Sequence, residues 1–241
     1  MRSLRACLPI LLLVLAPPPA HAAESEVFLS WHAPWGRPGA SSTLVRPCID
    51  TTRVDTLYLS VRSGRSSPGV FAFSADLWFH PGSTDSLGPF WKRGYYPERP
   101  TFLRVECPSD SADGSHSPFA APTFGDFTWD YTTMRARLRM VYAVPSTMAK
   151  PADGDAIYTL ARVLLGRPPV RFSMCDQPVC VEVFQVGLTL GLKEPTRNVS
   201  VGDHRFAAIN SPDERVCLPY QAVAPSFAAD SLRPAAADST R

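Results

Sequence analysis

The chain has 241 residues, of which 45% are hydrophobic, with 24 lysines and arginines against 22 aspartates and glutamates. Loss of Arg2 and Arg5 with the export signal described below leaves 22 charges of each sign. The remainder therefore lacks the basic excess with which proteins displace counterions from nucleic acid, and a nucleic-acid partner is not expected.

Arg2 and Arg5 precede an apolar run from Leu8 to Ala16, too short to cross a bilayer core of about 30 Å. Pro17-Pro18-Pro19 and the small-x-small pattern Ala20-His21-Ala22 follow, so residues 1–22 read as a signal peptide cleaved after Ala22. No later stretch approaches the roughly 20 apolar residues of a spanning helix. The expectation is a secreted protein, extracellular, on the cell surface or in the periplasm, that does not span the membrane. Arginine outnumbers lysine 21 to 3, which reads as the composition of a GC-rich, bacterial genome.

Along the mature chain the dominant period is two, the signature of half-buried strands. Leu57, Leu59 and Val61 alternate with Tyr58, Ser60 and Arg62, and Phe71, Phe73, Ala75, Leu77 and Phe79 make one continuous apolar face. Turn clusters at 64–69, 81–85 and 108–118 separate such segments. Ala136, Leu138, Met140, Tyr142 and Val144 then alternate with Arg135, Arg137 and Arg139, and a long strand is expected from about Val179 to Leu190. Shorter strands are expected at 27–31, 101–106, 126–130, 169–174, 204–209 and 215–219. Local spacing in Ala156–Leu165 satisfies a helix, with Asp155 to cap it and Gly166 and Pro168 to end it. Many short strands punctuated by Gly and Pro predict an all-β, antiparallel, jelly-roll-like sandwich in a single disulfide-bearing domain over 23–220. Residues 221–241, poor in bulky apolar side chains, are expected to be a disordered tail.

Five cysteines remain after cleavage: Cys48, Cys107, Cys175, Cys180 and Cys217. In an oxidising compartment most should pair, and an odd count leaves at least one over. A bridge between Cys175 and Cys180 across the turn Asp176-Gln177-Pro178-Val179 is expected, and Cys48 with Cys217 would join the start of the domain to its end. Zinc is not expected, because there is no C-x-x-C pair and no nearby histidine.

The order of segments resembles a cohesin-like domain, the β-sandwich of bacterial cell-surface and cellulosome scaffolds. The resemblance rests on Val54–Val61, then Phe71–Phe79 ending in His80-Pro81-Gly82, the basic-apolar alternation Arg135–Val144, and Asp153-Gly154-Asp155-Ala156-Ile157 through Val163. It implies that 156–165 is a strand, with Ile157, Thr159, Ala161, Val163 and Leu165 on one face, and that the protein is a binding module.

No G-x-S-x-G, H-E-x-x-H, P-loop or G-x-G-x-x-G signature occurs, so catalysis and a cofactor are not expected. Asp76, Asp126, Asp130 and Glu182 leave a glycosidase-like pair open, hence a secreted hydrolase as the alternative. Asp153-Gly154-Asp155 reads as a turn before it reads as a calcium site. The segment containing Phe90, Trp91, Lys92, Arg93, Tyr95 and Tyr96 combines stacking rings with two cations, which suits a protein or carbohydrate ligand. The competing reading is that Phe90 and Trp91 plug one end of the core. Trp78 and Tyr58 point away from the apolar faces of their strands and offer a second surface. Arg135, Arg137 and Arg139 are either an ordinary solvated face or a platform for an acidic partner. Assembly through an exposed edge strand is a further possibility, and Asn198-Val199-Ser200 matches a glycosylation sequon.

Overall fold

The computed structural model describes residues 24–45, 54–82, 86–88, 91, 95–96, 99–100, 103–108, 116–119, 123–132, 134–166, 176–191 and 193–221. The expected signal peptide, Cys48, Phe90, Lys92, Arg93, the strand expected at 169–174, Cys175 and the tail beyond Gln221 lie outside the described residues.

Two sheets face each other. The first orders β1 (Glu26–Trp31), β3 (Asp55–Arg62), β10 (Ile157–Leu165) and β7 (Leu103–Glu106), antiparallel throughout. The second orders β2 (Thr43–Leu44), β13 (Phe206–Ile209), β11 (Val179–Thr189), β4 (Ala72–Pro81), β9 (Ala136–Ala143) and β8 (Phe124–Tyr131), with β12 (Arg197–Asn198) also against β11. Among the described residues only the short β2–β13 pair is parallel. A separate two-residue ladder joins β5 (Tyr95–Tyr96) to β6 (Arg99–Pro100). This is the all-β, antiparallel sandwich that the alternation predicts.

The alternating apolar positions meet between the sheets. Val27, Leu29 and Trp31 of β1 and Leu57, Leu59 and Val61 of β3 face Phe73, Leu77 and Phe79 of β4 and Leu138 and Met140 of β9, all fully or almost fully buried. Each such side chain contributes about 1.5–3 kcal/mol by leaving water. Phe79 is the hub for the rings, with Trp91 at 5.9 Å and Trp129 edge-on at 4.9 Å between centroids.

Two bulges interrupt the alternation, and the first corrects an expected facing. In β10 the register against β3 shifts between Thr159 and Ala161. Residues 156–165 are a strand, as the resemblance implies, but Thr159 opposes outward-facing Ser60 whereas Ala161 and Val163 oppose inward-facing Leu59 and Leu57. The five residues therefore do not share a face. The inserted residue, Leu160, is also buried in the core, and the extra residue is what gave the segment its helix-like spacing. In β11 the shift falls between Val183 and Gln185, so Val179, Val181 and Val183 and then Val186 and Leu188 all point inward, and Phe184 points out.

The stretch 215–219 is not a strand. Asp213 accepts the Arg215 N–H at 2.9 Å and starts a 3-10 turn (Glu214–Cys217) that runs on into a single α-helical turn (Leu218–Gln221). The turn lies on the outside of the second sheet and carries Cys217 back to Cys180. That bond, with Cα atoms 5.1 Å apart, replaces both expected pairings: Cys180 is not joined to Cys175, nor Cys217 to Cys48. Cys180 lies on the outward face of β11, across the ladders from His80 and Ala208, where closeness in sequence to Cys175 has no influence. Phe206, Ala208 and Val216 bury themselves around the disulfide as a small second core.

Candidate functional site

The aromatic segment does not present Trp91. Its side chain is fully buried and packs on Phe79, so the core-plug reading holds for this residue. Tyr95 and Tyr96 are placed by their backbone in β5, and their side chains lie outside the described residues. Tyr58 is also buried, so it adds no surface. Asp153-Gly154-Asp155 is a turn in which the Asp153 carboxylate accepts the Asp155 N–H. Among the described residues no group of three histidines, cysteines or carboxylates is placed to hold a metal ion.

The outer face of β8, β9, β4 and β11 gathers the remaining candidates. Across the β4–β9 ladder Trp78 opposes Arg137, Asp76 opposes Arg139 and Ser74 opposes Val141. Across β8–β9, Asp130 opposes Arg137, Thr128 opposes Arg139 and Asp126 opposes Val141. Thus Asp76, Asp126, Asp130, Trp78 and the three arginines, separate in sequence, lie on one surface. Glu182 opposes Trp78 on the other side, from β11.

Three zones follow along this face. At the C-terminal turn, His80 Nε2 lies 3.0 Å from Glu182 Oε2, and Arg205 lies 3.7 Å from the other Glu182 oxygen, all three side chains being about nine-tenths buried. Tyr220 stacks on His80 at 4.1 Å and donates its hydroxyl to the Pro81 carbonyl at 2.8 Å. Burial, and secondly the Glu182 charge, push the Tyr220 phenol above its ordinary value. The cluster is closed over, which makes it a structural device.

In the middle zone the Arg135 guanidinium sits 3.5 Å from the centre of the half-buried Trp78 ring, with Phe184 tilted against the same ring at 5.2 Å. Desolvation there, and secondly the neighbouring Arg137, lower the Arg135 pKa, but an arginine remains a cation at any working pH. Such a cation–π contact at an exposed site is worth about 0.5–1 kcal/mol. In the third zone Arg137 and Arg139 grip Asp76, and Ser74, Val141 and Gln185 complete a shallow hollow beside them.

The described surface also exposes Phe124 (62%), Val141 (53%), Tyr131 (45%) and Met134 (63%), all on β8, β9 or the turn between them. No local pattern marks these four as a group in the sequence. The available signal was an apolar residue in the outward register: Val141 follows Arg135, Arg137 and Arg139 at the same spacing of two, and Phe124 precedes Asp126, Thr128 and Asp130 in the same way.

The sequence matches no protein-family model, and no curated protein matches it. Solved structures do match. A type I cohesin–dockerin complex from Clostridium thermocellum aligns at 8% identity over 80% of this chain and 97% of that one, with a TM-score of 0.38. A cohesin module from a family 33 glycoside hydrolase of Clostridium perfringens aligns at 8% identity over 73% and 96%, TM-score 0.33. A type II cohesin domain from the cellulosome of Acetivibrio cellulolyticus aligns at 10% identity over 78% and 96%, TM-score 0.27. All three are cohesin modules, the family that the order of segments resembles, and at these scores nothing about the site or its partner is carried across from them.

Proposed function

We propose that this protein is an exported binding module that engages a protein partner on the outer face of β8, β9, β4 and β11. One observation carries the reading: Phe124 and Val141, two of the eight large hydrophobic side chains exposed among the described residues, lie in the outward register of β8 and β9, on the face that carries the three arginines. Exposed apolar side chains grouped in this way mark interaction surfaces, and arginine and aromatic residues are the commonest anchors in them. A protein suits this face better than a sugar. Stacking on a pyranose needs an open ring face, and Trp78 is covered by Arg135 on one side and crowded by Phe184. Pairing along the β8 edge is opposed by Asp126, whose carboxylate takes up the Phe127 N–H at 2.8 Å.

The test is comparative. The mature protein and its Val141→Asp and Phe124→Asp variants would be immobilised and exposed to the secreted proteins of the producing organism. A partner retained by the native protein and lost from both variants, with all three melting alike, is the expected result. A partner retained equally by all three would move the site elsewhere, and selective retention by a glycan array would replace the protein with a carbohydrate.

A further inference from the structure

Residues 32–40 lie over the outer face of the first sheet, where Ser30 Oγ donates to the Ala33 carbonyl and Trp35 stacks on Phe28. Phe28, Ser30 and Ser60 point away from the core there and are buried. The second sheet has no such cover over β8 and β9 among the described residues. Phe124, Asp126, Thr128 and Asp130 of β8 and Arg139 and Val141 of β9, all in the outward register, are exposed.

The bare face is sorted along the strands and across them. Phe124 and Val141 stand toward one end, and Asp130 and Arg137 oppose each other toward the other. The β8 row is acidic and the β9 row basic, and Asp76 takes up Arg137 and Arg139 from the β4 side. Two exposed charges of opposite sign find no such partner. Arg135 lies on Trp78 instead of on a carboxylate, and Asp130 joins no ion pair among the described residues. Trp78, Arg137 and Asp130 are level across the two ladders, so the guanidinium over Trp78 stands at the height of Asp130. Two strand spacings, about 10 Å, separate them sideways, which is too far for them to pair within one copy.

Resting on the assignment of this face as the docking surface, we propose that its occupant is a second copy of this chain, the two copies meeting face to face about a two-fold axis that runs along the strands between β8 and β9. Such a rotation keeps every residue at its height and exchanges the two rows, so the face is complementary to itself. Phe124 and Val141 meet their counterparts at the apolar end. At the charged end Asp130 of each copy comes within reach of Arg135 of the other, and the same ion pair forms twice. An axis across the strands would instead lay the arginine row on itself, which like charge opposes. Pairing through the β8 edge is opposed by Asp126, as above. Four strands about 4.8 Å apart, each eight residues of about 3.4 Å rise, give a face of about 500 Å² per copy. The pair then buries about 1,000 Å², the lower end for a specific interface, and the dimer is a reversible one.

Sedimentation of the mature protein over a series of dilutions would decide it, with dimer giving way to monomer as the protein is diluted. Asp130→Arg and Arg135→Glu should each weaken association about tenfold or more, because each sets like charges against one another at two symmetric places. Mixed in equal amounts, the two variants should associate nearly as the native protein does, since each then carries the charge that the other lacks. Both side chains are exposed, so neither variant threatens the fold, and equal melting temperatures would verify that. Native protein that stays monomeric, dimers indifferent to both reversals, or a mixture no more associated than its components would overturn the proposal. If such a monomer still captured another secreted protein through Phe124 and Val141, the second copy would be ruled out and the face would stand as a docking surface with a different occupant.

Discussion

The two sheets carry the same alternation on their inner faces and treat their outer faces in opposite ways. At the middle of β1 and β3 in the first sheet the outward residues Phe28, Ser30, Tyr58 and Ser60 are hydroxylated or aromatic, and all are buried. On the second sheet the outward residues of β8 and β9, Thr128 apart, are charged or apolar, and most are exposed. Alternation with a period of two states which residues share a face. It does not state whether the second face meets water, because that depends on loops such as 32–40 that cross from elsewhere in the chain. The character of the outward residues is the better guide: serines and a phenylalanine tolerate cover, and a row of arginines does not.

This contrast can be broken by mutation. The largest effect should come from Phe28→Ala, a substitution on a nominal outer face that should nevertheless cost about 3–5 kcal/mol, as core truncations do. Thermal melting would show it, and a Tm within a degree or two of the native value would mean that the first sheet is not covered. Trp91→Ala should fall in the same range because that ring is packed on Phe79. A variant that melts like the native protein would return Trp91 to the surface.

Cys217→Ser is the next largest. The Cys180–Cys217 bridge spans 37 positions, for which the chain-entropy model gives about 4 kcal/mol. Denaturant midpoints measured with and without reductant should differ in the native protein and coincide in the variant. A non-reducing peptide map that joined Cys175 to Cys180 would refute the pairing altogether.

Gly82→Ala should cost about 1–3 kcal/mol by overpacking, since a Cβ there would lie 1.9 Å from Val216 Cγ2. Val216→Ala in the same chain should recover most of that loss, and a double variant no more stable than Gly82→Ala alone would show that the C-terminal turn does not press on this glycine. The smallest effect belongs to the bare face: Arg135→Ala should change stability by no more than about 1 kcal/mol. A loss several times larger would place Arg135 in the fold and weaken its claim to be part of a docking surface.

Most of the sandwich was legible because the inward positions of β4 and β9 are apolar, as are those of β3 after Asp55. The candidate face was legible in parts, as three arginines and a tryptophan, but not as a whole. What joins Trp78 to Arg135 is the β4–β9 register, which links residues 57 apart and leaves no local trace. The bulges at Leu160 and Phe184 hid for a related reason: one added residue reverses which side chains face inward, and nothing at that position looks irregular. The Cys180–Cys217 bridge leaves no trace in the sequence because closeness along the chain is not closeness in space: a strand directs each of its residues toward a different neighbour.

Cys107 is free and partly buried, and desolvation pushes its thiol from about 9 to about 12, against a smaller opposing effect from a hydrogen bond with Thr123. Because the folded form favours the neutral thiol, its contribution to stability is complete below about pH 9 and should fade as the solution becomes more alkaline than that. At ordinary pH the consequence concerns disulfide fidelity. A bridge is attacked by a thiolate, and Cys107, kept protonated in the folded molecule, does not attack the Cys180–Cys217 bridge. In the unfolded chain Cys107 has no such protection, so it can enter disulfide exchange until β7 settles beside β10 and shelters the residue that follows it.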